Sequence, residues 1–233
     1  MAKVFLGVGH GGSDPGAVAN GFREKDLNLS IALACNEELV RHGVITLMSR
    51  TVDENDSLPE EIRECNAFAP DLAVDIHNNA GGGDGAEAFY HYGGGVGKTL
   101  AENILSQILA IGQNSRGAKT KKNAEGRDWF GFIRETSCPA VIVECAFVDN
   151  STDLQVVDTK EEQVKMGIAV AKGILGTLGI PWVAPAEEKP DPIPEPEDPS
   201  KEETPEEEQD PFWERVRLFL RELLQRFFRW LDV

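Results

Sequence analysis

The amino-acid sequence predicts an α/β fold, in which a twisted, mostly parallel sheet is flanked by helices on both faces. Apolar runs of strand length alternate along the chain with amphipathic runs of helix length. Three of the apolar runs meet an ionisable residue, at His10, His77 and Glu144. The carboxyl ends of parallel strands lie at one edge of a sheet, where ligands bind. We therefore expect these three side chains to converge on one site.

The strand predicted at 141–147 is the most informative, because Glu144 is the one charged residue in an otherwise apolar run. An unpaired carboxylate buried in a strand costs several kcal/mol. Glu144 is therefore expected to face a cleft or to pair with a cation. A purely structural ion pair is the alternative, and this strand alone does not decide between them.

The two histidines follow strands predicted at 4–9 and 72–76. His10 leads into a turn-rich loop, 11–17, whose glycines let the backbone approach an ion or a ligand closely. His77 leads into two asparagines and a second glycine-rich loop. A single histidine at a strand end is most often a satisfied polar residue. Two histidines and a glutamate on three converging strands favour a functional site.

The remaining apolar periodicity predicts further helices and strands. We expect helices at 27–42, 60–68, 99–111 and 161–178, and strands at 44–48, 86–92 and 130–134. Asp26 or Asn28 would cap the first helix, and Gly43 and Gly179 would end the first and the last.

Two polar features each allow two interpretations. Glu24 lies just before the first predicted helix, where an acid complements the helix dipole but can equally ligate a metal. Residues 116–127 are basic and are predicted to be irregular. They form either a solvated surface or a loop that receives an anionic substrate.

Charge is distributed unevenly along the 233 residues. Of the net charge of −17, residues 185–210 contribute 12 acidic residues against two lysines. The rest of the chain is only mildly acidic, which excludes nucleic acid as a partner. The Pro- and Glu-rich composition of 183–211 predicts a disordered acidic linker, following a folded domain at 1–182.

The last segment, 212–233, is predicted to be an amphipathic helix rich in arginine and aromatic residues. Its apolar face comprises Phe212, Val216, Phe219, Leu220, Leu223, Leu224, Phe227, Trp230 and Leu231. Arginines opposite that face, with Trp213 and Trp230 near the ends, favour contact with a membrane surface. Self-association in a helical bundle is the alternative, and docking onto the catalytic domain is a third.

The sequence also bears on compartment and redox state. Met1 leads almost directly into a strand without a Sec-type signal, so synthesis in the cytoplasm is expected. No apolar run reaches the roughly 18 residues that a membrane-spanning helix needs. The four cysteines lack metal-binding spacing and are expected to be reduced residues of the core. They are Cys35, Cys65, Cys138 and Cys145.

Four separated motifs resemble those of the zinc-dependent N-acetylmuramoyl-L-alanine amidases, enzymes of cell-wall degradation that include endolysins. The motifs are Gly9-His10-Gly11-Gly12 with Asp14-Pro15-Gly16-Ala17, Glu24 before a helix, Ile76-His77-Asn78-Asn79-Ala80, and Pro139 to Glu144 followed by Phe147 and Asn150. The resemblance covers about the first 180 residues and implies a mostly parallel sheet flanked by helices. It gives no information on residues beyond 185.

The resemblance also implies a cofactor, a substrate and roles for particular residues. Zn²⁺ would be bound by His10, Glu24 and His77, a set that leaves one tetrahedral position open for water. Glu144 would act as a general base and then as a general acid. The substrate would be peptidoglycan. Asn79 and Arg134 are the expected substrate-binding residues.

The expected reaction is hydrolysis of the amide between N-acetylmuramic acid and L-alanine, which frees a stem peptide from a glycan strand. A zinc peptidase that cuts within the stem peptide is one alternative, and a non-catalytic wall-binding module is another. Without a Sec signal, the enzyme would reach the cell wall after release, through phage lysis or lysis of a mother cell.

Overall fold

A computed structural model describes residues 1–185 and places a six-stranded mixed sheet at the centre of the fold. The strands in chain order are β1 (Lys3–Val8), β2 (Val18–Ala19), β3 (Phe22–Arg23), β4 (Ile45–Met48), β5 (Leu72–Asn79), β6 (Ala86–Tyr90), β7 (Ser115–Lys119) and β8 (Ala140–Phe147). The sheet has the order β4-β1-β5-β8-β6-β7, and β2 pairs with β3 in a separate hairpin. Strands β4, β1, β5 and β8 are parallel, whereas β6 is antiparallel to β8 and parallel to β7. The predicted fold class is confirmed.

Helices cover both faces of this sheet. They are α1 (Glu24–Arg41), α2 (Leu58–Phe68), α3 (Val96–Ala110), α4 (Gly131–Glu135), α5 (Ser151–Leu154) and α6 (Lys160–Leu178). Helices α1, α3 and α6 pack together over the larger apolar cluster, and α2 and α4 cover a smaller one on the opposite face. The alternation of side chains along a strand sends Val74 and Ile76 to the first cluster and Ala73 to the second.

The first helix begins earlier than the sequence pattern indicates. It starts at Glu24, so the predicted start at residue 27 and the predicted caps Asp26 and Asn28 are wrong. No side chain caps the helix. Instead, the Glu24 amide donates to the Ala17 carbonyl at 2.8 Å, and the Ala17 amide donates to the Glu24 carboxylate at 2.9 Å. A contact that extends the preceding β2–β3 hairpin thus replaces the side-chain cap.

Two predictions around the basic region are wrong. Residues 130–134 are predicted to form a strand, but 131–134 form most of α4. The adjacent residues Phe132 and Ile133 are both buried. A helical turn allows this, whereas a strand with one covered face would expose one of the two. The stretch expected to be irregular contains most of the edge strand β7, from Arg116 to Lys119. The charged residues of β7 disguise it as a solvated segment in the sequence. They are tolerated in the strand because Arg116 and Lys119 both pair with Glu87 on β6.

Several boundaries and the cysteine prediction are confirmed. Helix α6 ends at Leu178, and Gly179, with φ 70°, caps it as predicted. All four cysteines are free, and three of them are buried. Within residues 1–185, no helix is both long and apolar enough to cross a membrane. The predicted helix at 212–233 and nearly all of the predicted linker lie outside the described residues, so both stay predictions.

Candidate metal centre and active site

The site lies along a row of residues that are neighbours on adjacent strands of the sheet. Strand register places His77 beside Glu144, and Glu144 beside Glu87. Gly9 extends the row on the other side, because a Cβ added there would lie only 2.2 Å from the His77 ring. Side chains alternate between faces, so all of these positions lie on the face that α2 and α4 cover only in part. The expected convergence of the strands on one site is thereby observed.

Three side chains in this region point their donor atoms at one another. The Nε2 atom of His10 lies 3.3 Å from Oε2 of Glu24, and Nδ1 of His77 lies 3.0 Å from Oε1 of the same carboxylate. Across residues 1–185, these are the only three His, Cys, Asp or Glu side chains whose donor atoms all lie within 4.8 Å of one another. The carboxylate and the two rings therefore surround a single point.

This donor set fits a catalytic zinc ion. Two imidazoles and one carboxylate provide three protein ligands and leave a fourth position open, as catalytic zinc sites do. Burial would raise the pKa of Glu24, but hydrogen bonds with His10 and His77 hold that pKa well below its usual range. Glu24 is therefore ionised at neutral pH, as a metal ligand must be.

The loop that carries His10 is shaped by close backbone contacts. His10 has φ 62°, a conformation that residues with a side chain seldom adopt. Gly16 has φ 63°, and a Cβ there would lie 2.6 Å from the Glu24 carboxylate and 2.7 Å from the His10 ring. Asp14 accepts a hydrogen bond from Nδ1 of His10 at 2.8 Å. The glycine-rich sequence thus permits the tight approach of His10 to Glu24.

Two buried polar residues, to which the sequence analysis did not assign this role, hold the loop in place. Arg50 is 1% exposed and donates to the carbonyls of Val8 at 3.1 Å and Lys25 at 2.9 Å. Asn28 donates to the Gly9 carbonyl at 2.9 Å. The only sequence signal for Arg50 is a charge directly after a strand, which is common on protein surfaces and so does not identify a buried clamp.

Asp75 is a second residue that the sequence analysis passed over. It lies two positions before His77 on β5, and its Oδ2 is 3.2 Å from Nε2 of His77. A carboxylate on the ring nitrogen that faces away from a metal fixes the tautomer and orientation of a histidine ligand. Asp75 interrupts an apolar strand as Glu144 does, so the same signal could have identified it.

Glu144 is held without a charged partner. Its Oε2 is buried and has no hydrogen-bond partner among the described residues. Burial raises the pKa of Glu144 to about 7, although the neighbouring His77 partly opposes that rise. A carboxyl group with a pKa near neutrality is suited to exchange protons in catalysis.

Glu87, on the adjacent strand, has a different environment. It accepts hydrogen bonds from Arg116 at 2.8 Å, from Asn79 at 3.0 Å and from Lys119. Burial would raise the pKa of Glu87, but the two cations lower it below its usual range. Sequence reasoning did not assign Glu87 a role, since an acid in an alternating edge strand is expected to be solvated.

The two expected substrate-binding residues occupy different places. Asn79 lies at the end of β5, where it joins the Glu87 cluster beside Glu144. The Arg134 guanidinium donates to the carbonyls of Asp128 at 2.8 Å and Trp129 at 3.1 Å, and also to Glu135. These contacts organise the loop before α4. The substrate-binding roles of Asn79 and Arg134 stay predictions.

Comparison with known proteins identifies the class to which this fold and site belong. The family model Amidase_3, described as N-acetylmuramoyl-L-alanine amidase, matches residues 4–176. That span includes His10, Glu24, His77 and Glu144, and it omits only the first residue of β1 and the last two residues of α6 from the helices and strands described above. The chain belongs to the Amidase_3 family.

Particular relatives agree with this membership. The N-acetylmuramoyl-L-alanine amidase CwlM of Bacillus licheniformis is 38% identical over 159 residues, which cover 66% of this chain and 60% of the relative. The endolysin of Bacillus phage SPP1 is 35% identical over 163 residues, covering 66% and 58%. The structure of Cwp6 from Clostridium difficile has a TM-score of 0.75 and 37% identity, covering 76% of this chain and 29% of that one. The chain thus spans about three fifths of the length of the two curated relatives.

Proposed function

We propose that this chain is a zinc-dependent amidase that hydrolyses the bond between N-acetylmuramic acid and L-alanine in peptidoglycan. The observation that carries the proposal is the convergence of His10, Glu24 and His77 on one point, with Glu144 on the neighbouring strand. Membership of the Amidase_3 family supports the substrate, since relatives such as CwlM are named for this activity.

The metal-binding residues and Glu144 have different roles in this reaction. When bound by His10, Glu24 and His77, zinc would supply Lewis-acid activation of a water molecule and of the scissile carbonyl. Glu144 takes a proton from the attacking water as the new carbon–oxygen bond forms. It then passes that proton to the alanine nitrogen as the carbon–nitrogen bond breaks. One carboxyl group with a pKa near 7 can serve in both directions.

Two alternative functions predict different products. A zinc peptidase would use the same residues but would cut within the stem peptide, so no peptide with a free L-alanine N-terminus would leave muramic acid. A wall-binding module would need neither an open metal position nor an uncompensated carboxylate beside it. The retention of both features favours an enzyme.

The test is a digest of purified peptidoglycan, with and without a chelator, followed by mass analysis of the products. We expect stem peptides with a free L-alanine N-terminus, and no products after zinc removal. The His77→Ala variant should bind no zinc and release nothing. His91→Ala is a matched control, because His91 is half-exposed and outside the donor group. Full zinc occupancy in His77→Ala, or cleavage at another bond, would contradict the proposal.

We further propose that the chain acts on the cell wall and that residues 212–233 contact a membrane surface. The composition of that segment supports the second part, with arginines on one side and a wide apolar face on the other. Deletion of 212–233 should reduce binding to anionic vesicles and leave hydrolysis of soluble peptidoglycan fragments intact. If the full chain does not bind such vesicles and instead forms an oligomer that becomes monomeric after the deletion, the segment is an assembly helix.

A further inference from the structure

A cavity of about 270 Å³ opens beside the metal centre, between the sheet and helices α2 and α4. His10 and His77 line it on one side. Its walls are largely apolar, and they include Val8, Leu58, Phe130, Phe132 and Ile142. Its acidic lining is formed by Asp14, Asp56, Glu61 and Asp75. The mechanism proposed above uses neither Glu61 nor the inner oxygen of Asp75.

Two of these lining residues, Glu61 and Asp75, each have a buried carboxylate oxygen with no partner among the described residues. Glu61 is 7% exposed and Asp75 is 3% exposed, and Oε1 of Glu61 and Oδ1 of Asp75 make no hydrogen bond. Both oxygens approach Gly7. A Cβ on Gly7 would lie 2.1 Å from the first and 2.8 Å from the second. The missing side chain therefore lets two unpartnered oxygens converge.

The pair has no direct lysine or arginine partner. No lysine or arginine of residues 1–185 forms an ion pair with Glu61 or Asp75, and the one partner of Asp75 is His77. Burial and the neighbouring Asp75 raise the pKa of Glu61 well above its usual range, although the more distant charges of His77 and Arg50 partly oppose that rise. A buried acidic pair of this kind is stabilised when a ligand supplies positive charge and hydrogen-bond donors.

The ligand chemistry favours an ammonium group over a second metal ion. The three acids Asp56, Glu61 and Asp75 do not bring three donor atoms within 4.8 Å of one another, as a compact metal site requires. A primary ammonium carries three donors on a rotatable group and can bridge two separated carboxylates. The apolar walls beside the acids suit a small alkyl substituent.

We propose that this cavity binds the α-ammonium group of the L-alanine residue released by hydrolysis, with the alanine methyl group on the apolar wall. The inference rests on the proposed function, because hydrolysis converts a neutral amide nitrogen into an amine beside His10 and His77. With a pKa of about 8, that amine is mostly protonated at neutral pH. The cavity therefore distinguishes product from substrate and makes the enzyme sensitive to inhibition by its own peptide product.

The test compares two probes on the zinc-loaded full chain. L-alanyl-D-isoglutamine carries the free amine, and its N-acetyl derivative does not. We expect the free dipeptide to bind at least about tenfold more tightly at pH 7, as a charge-assisted hydrogen bond allows. The preference should disappear at pH 9.5, where the amine is neutral. Equal affinities at pH 7 would overturn the proposal.

The variant Glu61→Gln should lose the preference for the free amine. Glu60→Gln is its matched control, since Glu60 is the preceding residue of α2 and is exposed. The zinc content and melting temperature of both variants show whether the fold is intact. If Glu61→Gln does not fold, the comparison of the two probes at pH 7 and pH 9.5 on the unmodified chain still tests the proposal. A preference retained in folded Glu61→Gln would overturn the assignment to this cavity.

The experiments distinguish a failure of the cavity proposal from a failure of the proposed amidase function. If the muramoyl–alanine bond is cut but the two probes bind equally, the enzyme assignment stands and the product cavity is wrong. If peptidoglycan is cut elsewhere while the amine preference depends on Glu61, the cavity is an ammonium site and the amidase assignment is wrong.

Discussion

Glu144 and Glu87 face each other on adjacent strands, yet the fold gives them opposite electrostatic environments. Their register pairs them directly across β8 and β6. Glu87 accepts hydrogen bonds from Asn79, Arg116 and Lys119, and the two cations lower its pKa. Glu144 is half-buried, its buried Oε2 has no hydrogen-bond partner among the described residues, and burial raises its pKa to about 7. The comparison shows that burial raises the pKa of a glutamate unless cations lie beside it, and that the cations beside Glu87 reverse this effect.

The largest expected effect is on turnover. Glu144→Gln keeps the shape of the side chain but cannot accept a proton, so kcat should fall by about 10²–10⁴, the range for a lost general base. Zinc content should be unchanged, since Glu144 is not among the three donors. Metal analysis and kinetics on peptidoglycan fragments measure both quantities. Turnover in Glu144→Gln near that of the unmodified chain would mean that the carboxylate is structural.

The same substitution should have an opposite effect on stability. In the metal-free protein, the raised pKa of Glu144 means that its ionisation opposes folding. The contribution of Glu144 to stability is complete below its unfolded pKa near 4.5 and is lost as the pH rises through about 7. Metal-free Glu144→Gln should therefore be more stable than the unmodified chain at pH 8, by at most about 3 kcal/mol.

Denaturant unfolding at pH 8 and at pH 4 measures this difference. The gain should vanish at pH 4, where the Glu144 carboxyl is protonated in both the folded and the unfolded chain. Zinc loading should also reduce the gain at pH 8, because a nearby positive charge favours the ionised carboxylate. A variant that is less stable than the unmodified chain at pH 8 would show that Glu144 is stabilised by a partner.

Much of this fold could be predicted from the sequence because local patterns determine it. The apolar runs that contain Glu144 or lead to His10 and His77 form strands as predicted, and these strands converge as expected. The errors arise where a contact between elements overrides the helix and strand periodicity. Helix α1 starts at Glu24 because the Ala17 carbonyl, next to the β2–β3 hairpin, receives its first amide. The Asn20-Gly21 turn of that hairpin, with φ 53° and 84°, is a local signal that the sequence analysis did not use.

The electrostatics of the site were harder to predict than its residues. Motif spacing identifies Glu144 but says nothing of Glu87, whose cations come from Arg116 and Lys119, about 30 positions further along the chain. The basic stretch was interpreted as either a solvated surface or a substrate loop. Its first two cations instead neutralise Glu87, and only the register of β6, β7 and β8 brings these groups together.

The smallest expected effect concerns Glu87 itself. Glu87→Gln leaves Arg116 and Lys119 without their shared acceptor, so it should destabilise the protein by about 1 kcal/mol at pH 8, given that both cations are partly exposed. The same change removes a negative charge that helps to raise the pKa of Glu144. The acid limb of the kcat/KM profile should therefore move down, by about half a pH unit.

This direction of shift separates an electrostatic role of Glu87 from a merely structural one. A structural role alone would lower activity at every pH and leave the acid limb in place. The matched control is Glu125→Gln, because Glu125 also pairs with an arginine but is exposed, and its change should affect neither stability nor the pH profile. An acid limb that stays fixed or moves up in Glu87→Gln would mean that the two glutamates, though adjacent, are not electrostatically coupled.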